Sequence, residues 1–117
     1  METQVSLVRE DGSVLCGRCI LAETMLTRAR GLLGRAELAP GEGILLRPAS
    51  SIHTFFMRFP IDVVFLDRSL AVRKVVHRLR PWRMAFGLGS HAVLELPAGE
   101  AERHGIAGGE RLTTTAP

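Results

Sequence analysis

The sequence predicts a strand-rich α+β domain, a small, partly closed β-barrel-like fold with two short helices. Three observations lead there. About six or seven short runs of β-branched and aromatic residues are separated by glycine, proline and aspartate turns. Helical spacing or helix-end chemistry is confined to two short stretches. The 117 residues, 46% apolar and 23% charged, fit one globular domain over residues 1–117, large enough to bury a core without disulfide or metal staples.

Val5 and Leu7 open a first strand of about residues 3–10. Asp11-Gly12 then marks a two-residue turn into a strand of about 13–22, because both central positions of a type I′ turn need positive φ. Thr24 caps a helix whose apolar face is Met25, Ala29, Leu32 and Leu33, with Gly34 as its left-handed stop. "GILLRP" (43–48) reads as a short buried strand, and residues 52–59 read as extended or irregular because Pro60 keeps Phe59 out of α geometry. "IDVVFLD" (61–67) is a central strand. A turn at 67–69 makes a hairpin with 70–77, where Leu70, Val72 and Val76 share a face. Residues 78–91 form a long connection. "AVLELP" (92–97) is a strand with Ala92, Leu94 and Leu96 on one face, and residues 98–104 form a short helix stopped by Gly105. "GGERL" (108–112) turns into a final strand.

Three blocks in this order, "RARGLLGR" (28–35), "HTFFMRFPIDVVFLD" (53–67) and "VLELPAGEAERHGIAGGERL" (93–112), resemble the domain of unknown function 192 family. The resemblance covers about residues 23–112, nearly the whole chain. Leu33 stands where the family often has Met, Phe56 where Trp is common and Glu110 where Asp is usual. The resemblance implies a compact β-rich fold and no particular activity, and it implies that many members are exported.

The totals exclude several classes. No run approaches the ~18 apolar residues of a membrane span, and "METQVSLVRED" lacks the basic and apolar regions of a signal peptide, so a cytoplasmic location is expected. The net charge of +3 permits contact with anions without demanding it. There is no phosphate loop, nucleophile elbow or dinucleotide fingerprint, and no cofactor is expected.

The chemistry-bearing stretch is "SIHTFFMRFPIDVVFLD" (51–67). His53, Met57, Arg58 and Asp62 form the candidate ligand-binding set: a His and a carboxylate can share a proton, and an Arg can clamp an anion. The surrounding Phe, Met and Val residues read as core. Asp62 and Asp67, five apart, point to opposite faces of one strand, which argues against a paired-carboxylate dyad. No catalytic residue is assigned and no metal site is expected, because the four histidines are scattered. "CGRC" (16–19) lies in a strand, where its spacing aims the thiols at opposite faces unless Gly17 forms a bulge. Arg73, Lys74, Arg78, Arg80 and Arg83, with Trp82 among them and no acidic residue between, form a candidate interaction surface.

The sequence therefore favours a ligand- or protein-binding module without catalysis. The alternatives are a small hydrolase-like enzyme using His53 and Asp62, and, less favoured, nucleic-acid binding through Arg73 to Arg83.

Overall fold

The first hairpin pairs β1 (Thr3–Val8) with β2 (Val14–Ala22) in antiparallel register. In the computed structural model, which describes residues 3–24, 28, 31–32 and 34–117, the connecting turn is wider than expected. Arg9 and Ser13 close it, Gly12 alone has positive φ (87°), and the Asp11 carboxylate accepts from the Ser13 amide at 2.8 Å. An aspartate that bonds its own turn removes the need for a second left-handed residue.

β3 (Glu42–Leu46) runs parallel to β2, so the intervening chain crosses over. Arg28 lies in this crossover; it is helical and its N–H donates to the Thr24 carbonyl at 3.0 Å. The expected helix face of Met25, Ala29, Leu32 and Leu33 falls mostly outside the described residues, Leu32 being the exception.

β5 (Ile61–Leu66) and β6 (Val72–Leu79) form the expected second hairpin. β6 starts two residues later than the alternation suggested, because Leu70 is held at φ 65° in the Asp67 turn. Asp67 Oδ1 accepts from the Ser69 and Ala71 amides at 2.8 and 2.9 Å. β8 (Ala92–Pro97) lies between β3 and β5. It leads through Gly99 into α1 (Glu100–His104), which ends at Gly105 with φ 64°. The strand after "GGERL" is β9 (Thr113–Thr115), paired with β1.

The seven-stranded order is β6-β5-β8-β3-β2-β1-β9. At the start of the stretch 52–59, expected as extended or irregular, and within the connection 78–91, the chain forms β4 (Ser51–His53) and β7 (Met84–Phe86), a separate two-stranded antiparallel sheet.

A partly closed barrel is the expectation that needs correction. The start of β6 meets the turn before β9 through one bridge, Ala71 to Arg111. The Val72 N–H donates to the Glu110 carbonyl at 2.7 Å and the Leu112 N–H to the Leu70 carbonyl at 3.0 Å. Arg9 fastens the same turn by donating to both Glu110 carboxylate oxygens, at 2.6 and 3.1 Å. These contacts bring the ends together without a continuous ladder, so the sheet is not closed. Of the two expected helices, α1 is the one whose bounds lie among the described residues.

Strand parity divides the interior. Leu45, Val64, Leu66, Leu94 and Leu96 face one core, with Leu7, Cys16 and Cys19. Ile44, Leu46, Ile61, Val63, Phe65 and Val93 face the other, with Met57 and Ala85. β5 and β8 are therefore buried on both faces. Such strands lose the apolar–polar alternation that marks a half-exposed strand.

Candidate functional site

Burial on both faces leaves no solvated side of β8 for its one charged residue. Glu95 has the parity of Val93, so it points away from Leu94 and Leu96 and toward the second core. It is 4% exposed, and no hydrogen bond or ion pair joins its carboxyl to a described residue. Burial pushes its pKa up to about 8, so at neutral pH it is mostly a neutral acid, able to donate as well as accept a hydrogen bond.

Glu95 lines a cavity of about 310 Å³. Leu32, Leu46, Pro48, Ile52 and Met57 supply apolar wall, and Arg28, Ser50, Ser51 and His53 supply polar groups. The wall is set by β4: Ile52 turns inward against Ala85 of β7, while His53 beside it turns outward and is exposed. The His53 Nδ1 accepts from the Phe55 N–H at 3.2 Å, which puts the proton of the neutral ring on Nε2. The ring stacks on Phe55 with centroids 4.8 Å apart.

Of the expected ligand-binding set, His53 and Met57 meet at this cavity; Arg58 and Asp62 are not among its lining residues. Arg58 is exposed. Asp62 has the parity of Val64, on the opposite face of the sheet, and is fully buried. Its Oδ1 accepts from the Arg78 N–H at 2.8 Å, and its Oδ2 from the Gly99 and Ala101 N–H groups at 3.0 and 2.8 Å. The carboxylate joins β5 to β6 and takes the place of a side-chain cap on α1, which has none of its own.

Thr54, which sequence reasoning passed over, is fully buried and organises the neighbouring surface. Its hydroxyl donates to the Arg80 carbonyl at 2.6 Å and accepts from the Arg83 N–H at 2.9 Å; its carbonyl accepts from the Trp82 N–H at 3.0 Å. The turns carrying Phe56 and Trp82 are thereby fixed together. Both residues have positive φ, 68° and 65°, and their rings lie 4.7 Å apart.

The basic segment is not one free patch. Arg78 donates to Glu102 at 2.8 Å, and Lys74 donates to the Phe86 carbonyl at 2.8 Å. The Arg73 guanidinium lies over Gly89. Arg80 and Arg83 are exposed beside Trp82.

Opposed thiols at Cys16 and Cys19 are a further expectation to correct. Between Leu7–Cys16 and Val5–Cys19 the register shifts, so β2 bulges around Gly17, whose carbonyl accepts from the Ser6 hydroxyl at 3.0 Å. The bulge turns both cysteines into the same core, where they are fully buried and unpaired by any disulfide, Cys16 donating to the Gly41 carbonyl at 3.5 Å and Cys19 to the Ile20 carbonyl at 3.8 Å. The neighbouring thiol holds the Cys16 pKa down, and the neighbouring thiol together with burial pushes Cys19 up.

Among the described residues, no group of three His, Cys, Asp or Glu side chains could hold a metal ion. No described helix is long and apolar enough to cross a membrane.

The DUF192 family model, described as "Uncharacterized ACR", matches residues 7–114. A UPF0127 protein of Thermococcus sibiricus is 39% identical over 99 residues, covering 75% of this chain and 60% of that protein. A UPF0127 protein of Pyrococcus abyssi is 36% identical over 74 residues, covering 58% of this chain and 60% of that protein. The matched stretch thus spans about 60% of the length of these curated relatives. A crystal structure of a protein of unknown function from Novosphingobium aromaticivorans superposes with TM-score 0.81 at 27% identity, over 96% of this chain and 84% of that one. One from Sinorhizobium meliloti, provisionally described as a transcription regulator, superposes with TM-score 0.83 at 24% identity, over 97% and 94%. At that identity the second likeness concerns the fold alone.

Proposed function

Since this chain belongs to the DUF192 family, whose description names no activity, we propose that it is a binding module for a small, mostly apolar molecule carrying one hydrogen-bonding group. The observation that carries this reading is the unpartnered Glu95 carboxyl in a cavity of about 310 Å³ that has an apolar wall of Leu32, Leu46, Pro48, Ile52 and Met57. That volume sits at the small end of ligand pockets, roughly 300–1,000 Å³. A buried polar group without a partner costs free energy, and a ligand that supplies the missing bond recovers it. His53 and Met57 form part of the entrance and wall, and Arg58 lies outside. A reducing compartment such as the cytoplasm suits the two free thiols.

The hydrolase reading loses its carboxylate, because Asp62 is on the far face and its oxygens are occupied by backbone amides. The nucleic-acid reading is weakened by the partners of Arg78 and Lys74. The regulator description of the Sinorhizobium protein does not restore it at 24% identity.

Thermal unfolding with benzamide, benzylamine and butyramide as probes tests the proposal. Saturable stabilisation of the wild type by at least one probe, lost in Glu95→Leu, is the expected result. No saturable shift with any of the three, or an equal shift in the variant, would overturn it.

A further inference from the structure

The β7 side of the small sheet's outer face is apolar, while Ser51 and His53 of β4 lie opposite on the same face. Ala85 of β7 is buried, so Met84 and Phe86 on either side of it point outward and are 53% and 58% exposed. Two residues on, Leu88 is 95% exposed between Gly87 and Gly89. At the other end Trp82 and Phe56 are 56% and 70% exposed. Single exposed apolar residues are ordinary, but five large ones on a small sheet and its adjoining turns are a patch with a purpose.

The patch does not flex out of the way. The Thr54 bonds fix the Phe56 and Trp82 turns. Gly87 packs so tightly against the Phe65 ring that a Cβ there would overlap it, which anchors the loop one residue before the exposed Leu88.

The charge around the patch is mostly of one sign; the exception, Asp67 near Gly89, has its Oδ1 taken up by the Ser69 and Ala71 amides. Residues 43–61 and 68–94, which build it and its surroundings, contain no acidic residue. Arg58, Arg80 and Arg83 are exposed in the same turns.

We propose that this face is a docking surface for an anionic lipid membrane, with Leu88, Phe86, Met84, Trp82 and Phe56 entering the acyl boundary and the arginines meeting the headgroups. Apolar tips with cations in the adjoining turns match a hydrocarbon layer beneath a negative headgroup plane. A single-stranded nucleic acid fits less well, because it wants free ring faces to stack on. Here His53, Phe55 and Trp82 already stack in a row, with centroids 4.8 and 5.9 Å apart, and Phe56 tilts against Trp82 at 4.7 Å. Leu88 and Met84 have no ring to offer a base. The proposal is independent of the Glu95 cavity and stands or falls separately from it.

Trp82 is the chain's one tryptophan, so its fluorescence reports the surface directly. The test is co-sedimentation and fluorescence titration of the whole chain with vesicles of phosphatidylcholine alone, and of phosphatidylcholine containing about one third phosphatidylglycerol. Binding to the anionic vesicles at least tenfold tighter than to the neutral ones is expected, with a blue shift of Trp82 emission. Leu88→Asp, a change at a fully solvated position, is expected to weaken that binding at least tenfold while leaving the melting temperature unchanged. Arg80→Glu with Arg83→Glu is expected to abolish the preference for anionic lipid. The proposal is overturned by no vesicle binding at low salt. It is also overturned by vesicle binding indifferent to Leu88→Asp, by a Trp82 response to an oligonucleotide but not to vesicles, or by a stable dimer that Leu88→Asp splits and that ignores lipid.

Discussion

At neutral pH the Glu95 carboxyl holds its proton, and the fold is more stable for it. The folded pKa of about 8 lies above the ordinary value of 4.5, so the native state binds this proton more tightly than the unfolded chain. The stabilisation is whole below pH 4.5 and is lost as pH rises through about 8. Its size is on the order of 5 kcal/mol. Melts of the wild type are expected to drop by ~10 °C or more between the two ends of that window, whereas Glu95→Gln, which cannot ionise, melts at nearly one temperature throughout. Asp62 is the opposite kind of acid, held by three N–H donors. Asp62→Ala strands those donors in the interior and should cost about 3–5 kcal/mol by urea denaturation, while leaving probe binding at the cavity on the other face unaltered. Both residues were visible in the sequence and their roles were not. Asp62 beside Arg58 looked like a site because spacing does not reveal which amides fold back onto a carboxylate. Glu95 was passed over, because parity from Leu94 and Leu96 assigns it to a solvent face that a central strand does not have.

Elements with a strong local signal were readable. The β5–β6 hairpin follows from β-branched runs on either side of an Asp–Ser turn, and the ends of α1 from its glycines. β4 and β7 carried no such signal. Each is three residues long, and their pairing depends on contacts distant in sequence: the Thr54 hydroxyl across 26 to 29 residues, and Gly87 against Phe65. Gly87→Ala places a methyl group into the Phe65 ring and the Ser90 hydroxyl. We expect a loss of about 1–3 kcal/mol from overpacking, and faster amide exchange confined first to β4 and β7. Equal acceleration in β8 would show that the small sheet is not a separate opening unit. The bulge in β2 was legible only as an exception at Gly17. A period of two assigns Cys16 and Cys19 to opposite faces, and one extra residue at Gly17 reverses that assignment.

For the whole molecule, the sheet is an interior wall with a core on either side, and its ends approach each other through the Ala71–Arg111 bridge without closing. The two thiols lie wholly within one core, so they report on opening of the molecule as a unit. An aromatic disulfide reagent should leave both unmodified in native buffer, then modify both in a single phase once denaturant unfolds the chain. A phase with one thiol reacting under native conditions would mean that the β1–β2 edge opens before the rest. The strand-rich class and single-domain size were legible in composition and turn spacing. The degree of closure was not, because it rests on one bridge between residues forty positions apart.

The unpartnered acid on β8 also makes proton release a signature of the occupant. A guest that enters as an ammonium ion needs a carboxylate opposite it and displaces close to ~1 proton into the buffer at neutral pH. A neutral amide takes the acid as it stands and displaces almost none. Calorimetric titrations of the same guest in phosphate and in Tris, whose ionisation heats differ widely, will give unequal enthalpies for the first and matching enthalpies for the second. The charge of the natural ligand can thus be read from heat alone, before its structure is known.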